Sequence, residues 1–190
     1  KVADTRPTWG PNDLSLGLDS NGKAHIAYSF FEDSGISASL RYATNVGGTW
    51  VILTVDGHAT ADTGRYPSLV VDASNKVHIC YKNSTSGTLR YATNAGGAWA
   101  LSGIDASGNV GDHASMTIDH TGRLHISYMD NGNKDLKYAF STGGVWVPAT
   151  VDAVGWVGED NSIGVDQAGK VHISYFDSDN DDLKYATNVG

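Results

Sequence analysis

Seven residues of the sequence carry groups that can bind or transform a polar ligand. They lie shortly before four segments of similar sequence. They supply carboxylates, an imidazole, a phenol and a guanidinium: Asp13, Arg65, Tyr66, Asp112, His113, Glu159 and Asp160. Two carboxylates about 5–10 Å apart suit glycoside hydrolysis, and a histidine or tyrosine base beside a cation suits proton abstraction. The same groups also hydrogen-bond an unreactive ligand. Their role therefore depends on the elements that bring them together.

Four further histidines recur in segments that read HIAY, HICY, HISY and HISY: His25, His78, His125 and His172. Each follows a serine by ten residues and an aspartate by six residues. A buried imidazole needs hydrogen-bond partners, and this serine and aspartate are candidates. We interpret the four histidines as a structural network. No metal site or other cofactor is expected, because no second histidine stands at ligand spacing within a repeat.

The histidines mark a sequence repeat. Successive histidines are 53, 47 and 47 residues apart, and LRYATN- or LKYATN-like segments follow each one. Three of these segments continue into a Gly-Gly pair and a tryptophan, at Trp50, Trp99 and Trp146. Alternating apolar and polar residues, broken by Asp-x-x-Gly-Lys and Asn-x-Gly-Gly turns, predict four short strands per repeat. Such units of 40 to 50 residues are typical blades of a β-propeller.

The sequence therefore predicts one all-β domain, 1–190, a β-propeller of four repeats with four-stranded antiparallel blades. The blades are expected at about 14–54, 68–102, 115–150 and 162–187. Residues 1–5 align with the tail of an outer strand, so we expect them to close the ring by completing the last blade. The alternative is that two chains form one eight-bladed ring. The chain is accordingly expected as a monomer or a homodimer.

The HISY…LKYATN…W signature resembles bacterial β-propeller repeat proteins and is more distantly similar to Asp-box, sialidase-type propellers. The resemblance covers all 190 residues. It implies the fold and no single activity. Because such propellers are usually exported, it also implies a secreted or cell-surface protein.

The charge and the hydrophobicity of the sequence argue against two classes of binding partner. The formal charge of −8 and the lack of a basic stripe predict no nucleic-acid partner. No apolar run reaches the length of a membrane span, so no membrane partner is expected either. Cys80 is the only cysteine, which excludes an intrachain disulfide and predicts a small buried filler.

The seven candidate residues belong to loops that the propeller topology gathers on one face, around a central mouth. Both length insertions in the repeat fall on this face, whereas the opposite turns are nearly uniform. Variable loops on a rigid scaffold are typical of a binding surface. Outer loops would add Phe30, Phe31 and Ile36. The Asp177-x-Asp179-x-Asp181 run resembles the start of a calcium loop, but the glycine and final glutamate are missing, so an acidic hairpin tip is favoured.

Three functions fit these observations. The favoured one is a non-catalytic, lectin-like recognition or scaffold module that binds a glycan or a protein through the variable face. A polysaccharide hydrolase or lyase with its site at the mouth is the second, although the loops are short for a deep catalytic cleft. The third is a structural propeller fragment, natural or engineered, that self-assembles.

Overall fold

The computed structural model describes residues 11–31, 37–57, 61–142 and 144–188. These ranges contain fifteen strands in four antiparallel sheets, so the prediction of an all-β fold is confirmed. The predicted closing strand, 1–5, and Ile36 lie outside the described residues. Within the ranges given, the chain has no helix whose length and apolar character would let it cross a membrane.

Each sheet is a meander whose strands pair in chain order. The first sheet contains β1 (Pro11–Leu18), β2 (Ala24–Phe31), β3 (Ala38–Thr44) and β4 (Val51–Asp56). The second contains β5 (Thr63–Val71), β6 (Val77–Asn83), β7 (Thr88–Thr93) and β8 (Ala100–Asp105). The third contains β9 (Val110–Ile118), β10 (Leu124–Asp130), β11 (Asp135–Thr142) and β12 (Val145–Asp152). In the fourth, the described strands are β13 (Val157–Val165), β14 (Val171–Asp177) and β15 (Asp182–Thr187).

The inner strands begin three to five residues before the predicted blade starts, at residues 11, 63, 110 and 157. The reason is a β-bulge within each inner strand. In the first sheet, for example, the pairing of β1 with β2 shifts register between Asn12 and Leu14 and then continues to Pro11. An extra residue of this kind interrupts the alternating pattern without ending the strand, so the sequence pattern alone stops at the bulge.

Hydrophobic contact between neighbouring sheets forms the core. One cluster joins Leu40 and Tyr42 of the first sheet to Val77, Ile79 and Ala92 of the second. Equivalent clusters join the second sheet to the third and the third to the fourth. Strands facing the core on both sides explain why residues such as Tyr81 and Tyr128 are fully buried.

The repeated polar residues join these sheets. Ser15, Ser68 and Ser115 each accept a hydrogen bond from a backbone N–H of the next sheet, at 2.9, 2.9 and 3.4 Å. The serines therefore bond between sheets and not to the histidines, contrary to one of the partners expected from the sequence. The difference arises because the serine hydroxyl points towards the following inner strand.

Each repeated histidine instead lies between a tyrosine and an aspartate. In the third sheet, His125 Nδ1 is 2.6 Å from the Tyr138 hydroxyl, and His125 Nε2 is 3.2 Å from Asp119 Oδ2. The other three sheets repeat this arrangement: His25 with Tyr42 and Asp19, His78 with Tyr91 and Asp72, and His172 with Tyr185 and Asp166. The aspartate also accepts the backbone N–H groups of its own turn, as Asp119 does from Thr121 and Arg123.

The sheet order leaves two faces open. Leu14, Leu16 and Leu18 of β1 are 62–68% exposed, and Leu183 and Tyr185 of β15 are 83% and 60% exposed. Packing of whole sheets in the described residues runs from the first to the second, third and fourth. Closure of the ring through residues 1–5 stays a prediction.

Candidate functional site

Four non-glycine residues at equivalent positions of the inner strands have a left-handed backbone: Asp13, Tyr66, His113 and Asp160, with φ of 42°, 50°, 51° and 45°. Each sits in the bulge that interrupts the pairing of its inner strand. Side-chain-bearing residues adopt this conformation rarely, and the strain recurs where a structure aims a side chain at a site. In each sheet, the bulge therefore changes the direction of one side chain from the regular alternation between the two faces of the strand.

These four side chains face one open cavity of about 340 Å³. Leu14, Pro67, Ala114 and Asn161, which directly follow them, complete its lining. The cavity lies where the inner strands begin. Its four variable residues come from four different sheets, so the site exists only when the sheets are packed together.

The polar groups form a continuous row across the cavity. The Tyr66 N–H points at Asp13 Oδ2 at 3.5 Å, and the Tyr66 and His113 rings stack with centroids 5.1 Å apart. At the far end His113 Nδ1 is 3.1 Å from Asp160 Oδ1. The Asp160 side chain is 83% exposed, so its carboxylate remains accessible. Burial, reinforced by the nearby carboxylates Asp112 and Asp13, raises the pKa of Tyr66, which keeps its phenol protonated and able to donate.

The three other candidate residues of the sequence point away from the cavity. Arg65 binds Asp62 through Nε at 2.9 and 2.8 Å, and its guanidinium lies 4.8 Å over the Phe31 ring. Asp112 forms a buried ion pair with Lys82. Glu159 accepts a hydrogen bond from Ser178 at 2.7 Å. The bulge breaks the regular alternation here, because the bulge residue and the residue after it both line the cavity while the residue before it does not.

One polar lining residue was missed by the sequence analysis. Asn161 donates through Nδ2 to the carbonyls of His113 and Gly158, at 2.8 and 2.9 Å, and its Oδ1 lies 2.5 Å from the Ser127 hydroxyl. The signal available was a polar residue where the other repeats carry Leu14, Pro67 or Ala114. Asn161 ties the third sheet to the fourth beneath the cavity.

The outer-loop candidates are engaged elsewhere. Phe30 is fully buried, with the Arg41 guanidinium 3.5 Å from its ring centroid. Asp177 accepts from the backbone and side chain of Asn180, and Asp179 accepts from the Trp156 N–H. In 11–31, 37–57, 61–142 and 144–188, no three His, Cys, Asp or Glu side chains are grouped so as to hold a metal ion.

Comparison with known proteins addresses the fold. No protein-family model matches the chain, and no curated protein matches it. Among solved structures, a protein of unknown function from Dyadobacter fermentans is similar, with 13% identity and a TM-score of 0.70 over 95% of this chain and 66% of its own. The arrangement of the sheets is propeller-like. A Hadza microbial sialidase is 14% identical, with a TM-score of 0.66 over 94% of this chain and 44% of its own.

A third similar propeller is a lectin from Aleuria aurantia, solved in complex with Fucalpha1-6GlcNAc. It is 14% identical, with a TM-score of 0.64, over 93% of this chain and 58% of its own. The chain thus spans less than two thirds of the length of each of these three proteins. At such identities the likeness establishes the arrangement of sheets and leaves the activity to the site itself.

Proposed function

We propose that the chain is a non-catalytic carbohydrate-recognition propeller whose ligand binds in the cavity of Asp13, Tyr66, His113 and Asp160. The observation that carries the proposal is the placement of four polar or aromatic side chains of three types, at one strained position of each sheet, around one opening. The repeated histidines of the same sheets are uniform and bonded internally, as scaffold residues are. Variation at the converging position is what ligand selection requires.

The chemistry of the row suits a sugar. The stacked Tyr66 and His113 rings offer an apolar face to the C–H side of a pyranose, and the flanking carboxylates accept hydrogen bonds from its hydroxyls. The cavity volume of about 340 Å³ falls within the range of small-ligand sites. The lectin neighbour binds a fucosylated sugar, and an exported, glycan-binding module agrees with that fold. A protein ligand at the same loops is the alternative partner.

Substitution of the row should weaken glycan binding. We expect Tyr66→Asn and Asp160→Asn each to reduce affinity at least tenfold for the best glycan found on an array, since each removes a proposed contact to the ligand. Asparagine tolerates the left-handed backbone, so the bulge is kept. Isothermal titration calorimetry provides the affinities. Asp181→Asn is the matched control, because Asp181 is also left-handed, with φ of 57°, but lies in a hairpin turn and does not line the cavity.

Equal loss in Asp181→Asn, or unchanged affinity in both row variants, would contradict this site. An array without any binding glycan would contradict the proposed ligand class. A polysaccharide lyase has less support in the geometry, because Arg65, the cation that such an enzyme would need, is held by Asp62 outside the cavity. Release of reducing ends or unsaturated products from polysaccharides would favour that alternative.

The open faces favour a second role, self-assembly. Leu183 is 83% exposed, whereas its equivalents Leu40, Leu89 and Leu136 are fully buried against the next sheet. The exposed β1 face likewise carries the positions that receive such a sheet in the internal interfaces. We therefore propose that a second copy packs head to tail, β15 face on β1 face, which agrees with a two-chain ring.

Native mass spectrometry tests this assembly. We expect a species of twice 20.1 kDa, and expect Leu16→Asp to return it to the monomer, since an aspartate in the apolar contact is left without a partner. Leu16 is 63% exposed in the single chain, so the variant should fold. Leu101→Asp, at a 40% exposed position of the outer strand β8, is the control. A wild-type monomer at micromolar concentration would contradict the proposal.

A further inference from the structure

The net charge of the molecule is unevenly distributed between its two faces. On the face opposite the cavity, the turn between the first two strands of every sheet contains one aspartate and one lysine or arginine. These residues are Asp19 and Lys23, Asp72 and Lys76, Asp119 and Arg123, and Asp166 and Lys170. The other carboxylates of the described residues stand at or near strand ends on the cavity face. The surplus that gives the formal charge of −8 therefore lies mainly on the cavity face.

Lysines and arginines of the cavity face are bonded to carboxylates outside the cavity lining. Five such ion pairs are Arg65 with Asp62, Lys82 with Asp112, Arg90 with Asp56, Lys137 with Asp105, and Lys184 with Asp152. Among the described residues, the lining itself contains the carboxylates of Asp13 and Asp160 and no lysine or arginine. The Asp160 side chain is 83% exposed, so its negative charge is accessible to a ligand.

Hydrogen-bond acceptors predominate among the described side chains of the lining. Asn161 already donates through Nδ2 to the carbonyls of His113 and Gly158. His113 Nδ1 faces Asp160 Oδ1 at 3.1 Å, which favours the neutral tautomer with its proton on Nδ1 and leaves Nε2 as an acceptor. The protonated phenol of Tyr66 is a donor. A lining of two carboxylates, one imidazole nitrogen and one phenol is best matched by a ligand that is rich in donors.

The aromatic pair adds a preference for positive charge. The Tyr66 and His113 rings stack with centroids 5.1 Å apart and planes inclined by 26°. The face of an aromatic ring carries partial negative charge and attracts a cation that lies within about 6 Å of its centroid. A primary ammonium offers three donors and a full positive charge. It therefore matches both the acceptors and the charge of the cavity, whereas a hydroxyl group matches only the acceptors.

We propose that the cavity selects an amino sugar, a glycan residue with a free primary ammonium, over neutral sugars, and rejects sugars that carry a carboxylate. This inference rests on the proposed carbohydrate-binding function. The sugar ring lies against Tyr66 and His113, its ammonium pairs with Asp160 beside the imidazole, and its hydroxyls donate to Asp13 at the other end of the row. An acidic sugar would instead bring a third carboxylate towards Asp13 and Asp160, and like charges in close contact oppose binding.

Three tetrasaccharides of different charge test this selection. The β-1,4-linked glucosamine tetramer and cellotetraose share their linkage and differ only in the ammonium or hydroxyl at C2, and tetragalacturonate carries carboxylates. By isothermal titration calorimetry we expect the glucosamine tetramer to bind at least about tenfold more tightly than cellotetraose, the gain typical of one charge-assisted hydrogen bond. Tetragalacturonate should not bind at millimolar concentration.

Salt and two variants identify the cause of the preference. Raising NaCl from about 0.01 M to about 1 M shortens the Debye length from about 30 Å to about 3 Å, so it should weaken binding of the glucosamine tetramer more than that of cellotetraose. Asp160→Asn should reduce the ratio of the two affinities to about threefold or less, since it removes the proposed ion pair. Asp181→Asn removes the same charge from the same face but outside the lining, and should leave the ratio unchanged. Circular dichroism checks that both variants fold.

The outcomes separate this inference from the function on which it rests. Binding of cellotetraose or of a neutral array glycan at least as tightly as the glucosamine tetramer would overturn the selection and leave carbohydrate binding in place, as would an unchanged ratio in folded Asp160→Asn. Absence of binding by the tetramers and by every array glycan would overturn both. Tetralysine that binds at least as tightly as the glucosamine tetramer would also overturn both, because the cavity would then recognise ammonium groups of a basic protein without a sugar.

Discussion

Replacement of Asp105 by alanine is expected to lower the free energy of unfolding by about 3–5 kcal/mol, the usual cost of removing one partner of a buried ion pair. Asp105 ends β8 and accepts from Lys137 Nζ at 2.6 Å and from the Tyr128 hydroxyl at 2.7 Å, both in the next sheet. All three residues are at most 8% exposed. Without the carboxylate, a lysine ammonium and a phenol remain buried between two sheets with their main acceptor gone.

The carboxylate is charged in the folded state. Burial opposes ionisation of Asp105, but hydrogen bonds from Lys137, Tyr128 and Ser107 outweigh it and hold the pKa below its usual value. The charge therefore contributes to stability above the ordinary aspartate pKa and loses that contribution as the pH falls through the lowered value.

Asp152 provides the matched comparison. It binds Lys184 at 2.6 Å and Tyr175 at 2.8 Å in the same geometry, but the Lys184 side chain is 30% exposed, against 10% for Lys137. Water can solvate Lys184 after the change, so Asp152→Ala should cost less. Urea denaturation of the two variants and the parent gives the values. Equal losses, or a loss below about 1 kcal/mol for Asp105→Ala, would mean that burial of the pair does not set its contribution.

Much of the scaffold could be predicted because it is periodic. The recurrence of HISY-like and LKYATN-like segments located the second and third strands of every sheet, and the Asp-x-x-Gly-Lys turns located the first hairpin. The tyrosine partner of each histidine could also have been predicted, because the tyrosine recurs at the same position of the adjacent strand in every repeat. His125 faces Phe140 across the pair, and Tyr138 reaches the ring from two residues away.

The sequence could predict which loops contribute to the candidate site, but not which residues of those loops line the cavity. The loop positions that converge follow from topology, but which of two adjacent residues faces the cavity depends on the bulge. At the bulge, Tyr66 and His113 have a left-handed backbone conformation, which their residue types do not predict. A regular alternation therefore cannot separate Tyr66 from Arg65, or His113 from Asp112, without the register of the pairing.

In three of the four sheets, a glycine two residues before the bulge residue is the sequence feature that marks the bulge; in the first sheet this position is Pro11. Gly64, Gly111 and Gly158 have φ of 85°, 100° and 101°, and each approaches a buried leucine of the preceding sheet. A Cβ on Gly64 would lie 2.4 Å from the Leu40 backbone nitrogen. The inner strand can thus enter the interface only if this residue has no side chain. The same close approach holds the bulge residue at the rim of the cavity.

Gly64→Ala is accordingly expected to lower the free energy of unfolding by about 2–5 kcal/mol, which combines the left-handed strain of a non-glycine residue with overpacking. Two other glycines separate these causes. Gly22 has a φ of 70°, and no atom lies within 4 Å of a Cβ built there. Gly22→Ala should therefore lower the free energy of unfolding by about 1–2 kcal/mol from backbone strain alone. Gly103→Ala has neither feature and should stay within about 0.5 kcal/mol of the parent.

Urea denaturation at constant temperature ranks the three variants, and the order Gly64, Gly22, Gly103 is the prediction. A Gly64→Ala loss no larger than that of Gly22→Ala would show that the first and second sheets can separate to admit a methyl group. In that event the position of Tyr66 would be adjustable, and the cavity would not be the rigid site on which selective sugar binding depends. The glycine variants test whether the close packing of the inner strand is rigid. The glycan titrations test whether the cavity that this packing positions binds a sugar.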